Sequence, residues 1–161
     1  MRTNYLLGLL AAVFVLFMQS PAALAADKDP WIWLSSNDKY SKFYAPASVR
    51  TVASVTKKRS KTAVATEIEA EIKTSFSYAG AEETIRNYNI AHVIKDPGKL
   101  SYAVARVRVY PQNRILQYIS ETFYDAAGNV LWSKGEGREK EMNSQQFDEE
   151  FYAAIIDTVF R

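Results

Sequence analysis

Few side chains in this sequence can do covalent chemistry. Histidine occurs once, at His92, and cysteine is absent. That excludes thiolate nucleophiles, disulfide staples, Cys-ligated zinc and iron–sulfur clusters. It also excludes multi-histidine metal sites and paired imidazoles, and His92 reads as an ordinary surface or half-buried side chain. Serine and threonine are common, but no G-x-S-x-G elbow presents one as a nucleophile. Ser41–Lys42 and Ser133–Lys134 are adjacent pairs, a spacing that does not bring the amine to the hydroxyl, and they read as strand and turn chemistry. Gly135-Glu136-Gly137 is a flexible link, since it lacks the strand–loop–helix setting and the Lys-Ser/Thr ending of a phosphate loop. No cofactor and no metal site is expected.

Two charged groupings remain. Glu67, Glu69 and Glu71 alternate along one segment, which on a strand sets three carboxylates on one face about 7 Å apart at each step. Such spacing suits a glycosidase pair or a Ca²⁺ site. The competing reading, which we adopt, is a solvated face paired across strands with Arg106 and Arg108. Lys57, Lys58, Arg59 and Lys61 form the one dense basic cluster, in a loop between two strands. These four cations are the candidate binding residues, for a protein or for an anionic glycan or envelope polymer. The alternative is a solubilising hairpin tip whose charges discourage edge-to-edge aggregation. The many tyrosines, with Trp132, serve either a recognition surface or the rim of the core.

The whole chain of 161 residues carries 20 Lys+Arg against 18 Asp+Glu, a balance that argues against a dedicated nucleic-acid binder. Residues 1–25 have the pattern of a secretory leader: Arg2, an apolar run from Leu6 to Phe17, then Ala23-Leu24-Ala25 before the cut. The run is shorter than the about 20 apolar residues a spanning helix needs. The expected product, residues 26–161, is one exported domain without a membrane span, in a periplasm, at the cell surface or outside the cell. It must hold together without disulfides, by packing its apolar and aromatic side chains.

The elements follow from periodicity. Trp31–Leu34, Ser41–Tyr44 and Val52–Thr56 read as short strands, with a turn or one helical turn at Pro46–Val49. Val64 to Phe76 alternates strictly, with Val64, Thr66, Ile68, Ala70, Ile72, Thr74 and Phe76 on one face and the glutamates on the other. Helix propensity alone would allow a helix here, but a helix would scatter both sets around its circumference, so a long strand wins. Ala81–Tyr88 reads as a short helix after Gly80, turning Ile85 and Tyr88 inward. Tyr102–Tyr110 and Ile115–Tyr124 alternate again, and Asp125–Asn129 makes a hairpin loop to Val130–Ser133. Phe147, Phe151, Ile155 and Val159 then recur every four residues, an amphipathic C-terminal helix. Asn143 is its expected cap, with Gln146 reaching back and Met142 stapling onto Phe147. The sum is an α+β domain: about six antiparallel strands with the last helix packed on one face and a short helix near residues 81–88.

This run of elements resembles the surface-adhesin protein E-like family of small exported bacterial domains. The resemblance rests on the Trp-rich opening strand into Ser35-Ser36-Asn37-Asp38, on Lys42-Phe43-Tyr44 and the Ser48-Val49 turn, and on the long strand to Phe76. The Phe123-Tyr124-Asp125 to Gly128-Asn129-Val130-Leu131 hairpin and the terminal helix complete it. It implies a six-stranded antiparallel sheet backed by the helix, and an adhesin-like role. The chain departs from the family in lacking a lipidation cysteine and the disulfide pair, so no functional residue is carried over. The expected function is non-enzymatic binding in the cell envelope. The alternatives are a small envelope hydrolase using the Glu67–Glu71 face, or a periplasmic partner or inhibitor of another protein.

Overall fold

The computed structural model describes residues 31–56, 63–135, 137–143 and 145–160. Residues 1–25, expected as a leader, and the Lys57, Lys58, Arg59 and Lys61 cluster lie outside the described residues. Seven antiparallel strands form one sheet: β1 (Ile32–Ser36), β2 (Tyr40–Thr56), β3 (Ala63–Phe76), β4 (Tyr102–Tyr110), β5 (Ile115–Tyr124), β6 (Val130–Lys134) and β7 (Arg138–Glu141). They are ordered β1-β2-β3-β4-β5-β6, and β7 also pairs with β5. Two helices, α1 (Tyr78–Asn87) and α2 (Gln146–Phe160), complete the α+β class. Among the described residues, no helix is long and apolar enough to cross a membrane.

One strand more than expected is present, and the reason is physical. Arg138-Glu139-Lys140-Glu141 shows no apolar alternation, yet its backbone pairs with Ile115–Tyr118 while β6 pairs with Glu121–Tyr124. Two short strands therefore share the second edge of β5. The expected pair Ser41–Tyr44 and Val52–Thr56 is a single strand, β2. The residues read as a turn are an irregularity within it: the register jumps between Ala45 and Arg50, opposite Glu71 and Glu69. Ser48 stitches this segment down, donating to the Ala45 carbonyl at 2.6 Å and accepting the Glu71 N–H at 2.8 Å. Pro46, which has no N–H to give a ladder, is tolerated at such a break.

Both helices lie over the same face of the sheet. On β4, Ala103, Ala105, Val107 and Val109 alternate toward that face, all nearly inaccessible. One core cluster packs Phe151 and Ile155 of α2 with Tyr44, Ile72, Val107, Val109 and Leu116. The other packs Ala81 and Ile85 of α1, and Ile90, Ile94 and Leu100 beyond it, against Ala103 and Phe123. Helix α1 begins three residues before its expected start. Gly80 is not a break but part of the first turn, where a Cβ would stand 2.2 Å from the Lys39 carbonyl oxygen. Ser77 caps the turn, its hydroxyl accepting from the Gly80 N–H at 3.2 Å.

At the start of α2 the reach-back residue is Asp148 rather than Gln146. Its carboxylate accepts the Asn143 N–H at 3.1 Å, while the Asn143 side chain accepts from the Gln145 N–H at 3.0 Å. Asp148 is 1% exposed and also pairs with Lys140 at 2.9 Å. The helix start is thus tied to β7, an element without a sequence signature.

Candidate functional site

The two core clusters do not meet fully. Between α1 and α2 the covered face of the sheet holds a cavity of ≈180 Å³. Its floor is Ile72, Thr74, Ala103 and Ala105, and the two alanines are the reason it exists. Farther along the same strand Val107 and Val109 fill the space under α2. Aromatic walls come from Tyr40, Phe76, Tyr88 and Phe123, with Tyr88 edge-on to Phe123 at 5.1 Å between centroids.

Charged groups stand in this apolar setting, which costs free energy unless each is partnered. Glu121 on β5 is 8% exposed. The Tyr88 hydroxyl donates to its Oε2, and Arg138 Nη2 donates to its Oε1 at 3.1 Å. Arg138 in turn lies over the Tyr118 ring, 3.9 Å from the centroid. Burial, then the hydrogen bond to Glu121, holds the Tyr88 phenol far above its ordinary value. Burial pushes Tyr118 up to about 12. Both phenols are therefore neutral at any ordinary pH.

Lys42 on β2 also lines the cavity, opposite Thr74 and between the inward-facing Tyr40 and Tyr44. Its ammonium lies 4.0 Å from the centroid of the Phe147 ring. Burial, with Lys140 nearby, pulls it down to about 8. Ser41, its neighbour in sequence, points to the opposite face of the strand, so no Ser–Lys unit forms.

The outer face of the sheet carries the expected glutamates. The register sets Glu69 opposite Arg108 and Glu71 opposite Arg106. Arg108 Nη2 stands 2.7 Å from Glu69 Oε1 and its Nη1 3.6 Å from Glu67. Arg50, displaced by the irregularity in β2, closes on Glu69 from the other side. The Arg108 and Arg50 hydrogen bonds hold the Glu69 carboxyl below the ordinary carboxylate range against its burial. Glu69 is 5% exposed, so this part of the face is not fully wet as expected. Arg106 stays exposed. His92 is exposed in a turn after α1. Among the described residues no group of three or more His, Asp or Glu could hold a metal ion.

Sequence reasoning missed Lys42, Glu121, Tyr88, Tyr118 and Arg138 as one group. A signal existed for two of them: Lys42 interrupts an inward series of tyrosines, and Glu121 stands two residues from Phe123 on the same face. Neither reads as unusual until the register is known, because adjacent strand residues face opposite ways. No family model, no curated protein and no solved structure matches the chain, so the surface-adhesin E-like resemblance rests on the sequence patterns alone.

Proposed function

We propose that this chain is a non-enzymatic binding domain of the cell envelope, exported behind the leader 1–25, and that its binding site is the cavity between α1 and α2. The observation that carries this reading is the set of charged and hydroxyl groups, Lys42, Glu121, Arg138 and Tyr88, converging on a cavity floored by two alanines. A core built only for stability would fill that space with larger side chains and keep charges out of it. The resemblance to exported adhesin-like domains supports an envelope location. The basic cluster Lys57–Lys61, in the connection between β2 and β3, supplies a separate contact for an anionic polymer or protein.

The hydrolase alternative needs a carboxyl that holds a proton near neutral pH. On the Glu67–Glu71 face Glu69 is shifted the other way by its two arginines, which suits a fixed anion in a cross-strand tie. Binding is therefore the stronger reading.

A panel of small acids, amines, amides and sugars, screened by ligand-observed NMR, tests the site. At least one class should bind the wild type and be lost from Ala105→Leu, whose side chain fills the cavity. A panel that binds neither protein, or binds both alike, overturns the reading. Ala103→Val serves as the second filling variant if the first fails to fold.

A further inference from the structure

The charges around the cavity do not balance. Arg138 is matched by Glu121, and Lys140 by Asp148 at 2.9 Å. Lys42 lies between these two pairs, and among the described residues no carboxylate comes within ion-pair distance of it. Among the described residues its close partner is the Phe147 ring, 4.0 Å from the ammonium. The half-buried group thus carries one positive charge in excess, at the wall of a cavity lined by aromatic rings.

Size and charge together narrow the occupant. An engineered protein cavity of about 150 Å³ takes up benzene, so ≈180 Å³ has room for one ring or a short branched chain. A single ammonium matches a single negative charge. A dianion would leave charge uncompensated in a partly desolvated place, and a cation would meet Lys42 and Arg138 together. A neutral guest would leave the ammonium unpaired.

Resting on the reading of this cavity as the binding site, we infer that its ligand is a small monocarboxylate, or a monocarboxylate end-group of a larger molecule, with an apolar body of about one ring. The carboxylate pairs with Lys42, and the body lies on Ala103 and Ala105 between Phe76, Phe123 and Tyr40. Glu121 keeps Tyr88 and Arg138 in place around it, as a positioning residue.

Benzoate and hexanoate are the probes, with benzamide, benzylamine and inorganic phosphate as neutral, cationic and dianionic counterparts, measured by titration calorimetry and NMR on the wild type, Lys42→Met and Ala105→Leu. At least one carboxylate should bind at least about tenfold more tightly than benzamide, as expected for a hydrogen-bonded charge pair. Lys42→Met should remove that preference by weakening carboxylate binding without weakening benzamide binding, a pattern that a misfolded variant would not give. Equal binding of carboxylates and benzamide, tighter binding of inorganic phosphate, or a preference surviving in Lys42→Met each overturns the carboxylate inference while leaving the cavity as a site. Binding that persists unaltered in Ala105→Leu overturns the cavity reading itself.

Discussion

The two faces of the sheet each carry a nearly inaccessible glutamate, and the two are used differently. On the outer face Glu69 is gripped by Arg108 in cross-strand register and by Arg50 from the other side, across the irregularity in β2. Its arginines reach solvent, with side chains 30% and 65% exposed, although Arg108 Nε is buried without a hydrogen-bond partner. On the covered face Glu121 is gripped by Tyr88 and Arg138, but beside it stands Lys42, with no carboxylate among the described residues within ion-pair distance. A tie that only joins strands closes its charges locally. A group that leaves one charge open beside a cavity is where we propose that a ligand binds.

That contrast can be tested from both sides, and the largest effect is expected at Glu121. Glu121→Ala strands a buried phenol and a guanidinium beside Lys42, and should cost about 2–4 kcal/mol of stability by urea denaturation. A loss no larger than that of a surface substitution would break the distinction between the faces.

Glu69→Ala should cost less, about 1–3 kcal/mol, because the two arginines left behind can turn to water. The same residue carries a pH signature. Its folded-state value is below its unfolded one, so its contribution is present above the ordinary carboxylate range. It is lost as pH falls through the folded value. Acid melts of the wild type and Glu69→Ala should therefore converge below that range, and parallel curves would show that the arginine tie does not stabilise the sheet.

The smallest effect has the opposite sign. Lys42→Met should raise stability by about 0.5–1.5 kcal/mol near neutral pH, since it removes an ammonium that burial disfavours. The folded value, about 8, is below the ordinary 10.5. The penalty on the wild type is therefore full below pH 8 and relieved as pH rises toward 10.5. The advantage of the variant should shrink over that window. Beside Lys42, Arg138 keeps its charge over that window, and Tyr118 titrates only higher. A destabilised Lys42→Met would assign the lysine a structural role and remove the argument that it is kept for a ligand.

Much of the fold was legible before the structure because it depends on local periodicity. Strict alternation from Val64 to Phe76 marked β3, and the four-residue spacing of Phe147, Phe151 and Ile155 marked α2. Elements whose existence depends on a partner were not legible. The backbone of β7 is held by the free edge of β5, so Arg138–Glu141 has no pattern of its own. Gly80 looked like a break because the Lys39 carbonyl it accommodates is 41 residues away in sequence. The outer-face match of Glu69 with Arg108 could be foreseen from complementary spacing on two strands, whereas Arg50 reached it through an irregularity in β2 that no spacing shows.

The sequence by itself determined the chemistry the protein cannot do, the class of fold, and which faces of its long strands are apolar, because composition and two-residue or four-residue periods are properties of short stretches. Only the tertiary structure decided which charged groups meet. Lys42, Tyr88, Glu121 and Arg138 span almost a hundred residues and become neighbours because β2, β5 and β7 take their places in one sheet, with α1 closing over it. The cavity among them depends on what does not fill it, the side chains that Ala103 and Ala105 lack, and an empty volume exists only once the surrounding elements are packed.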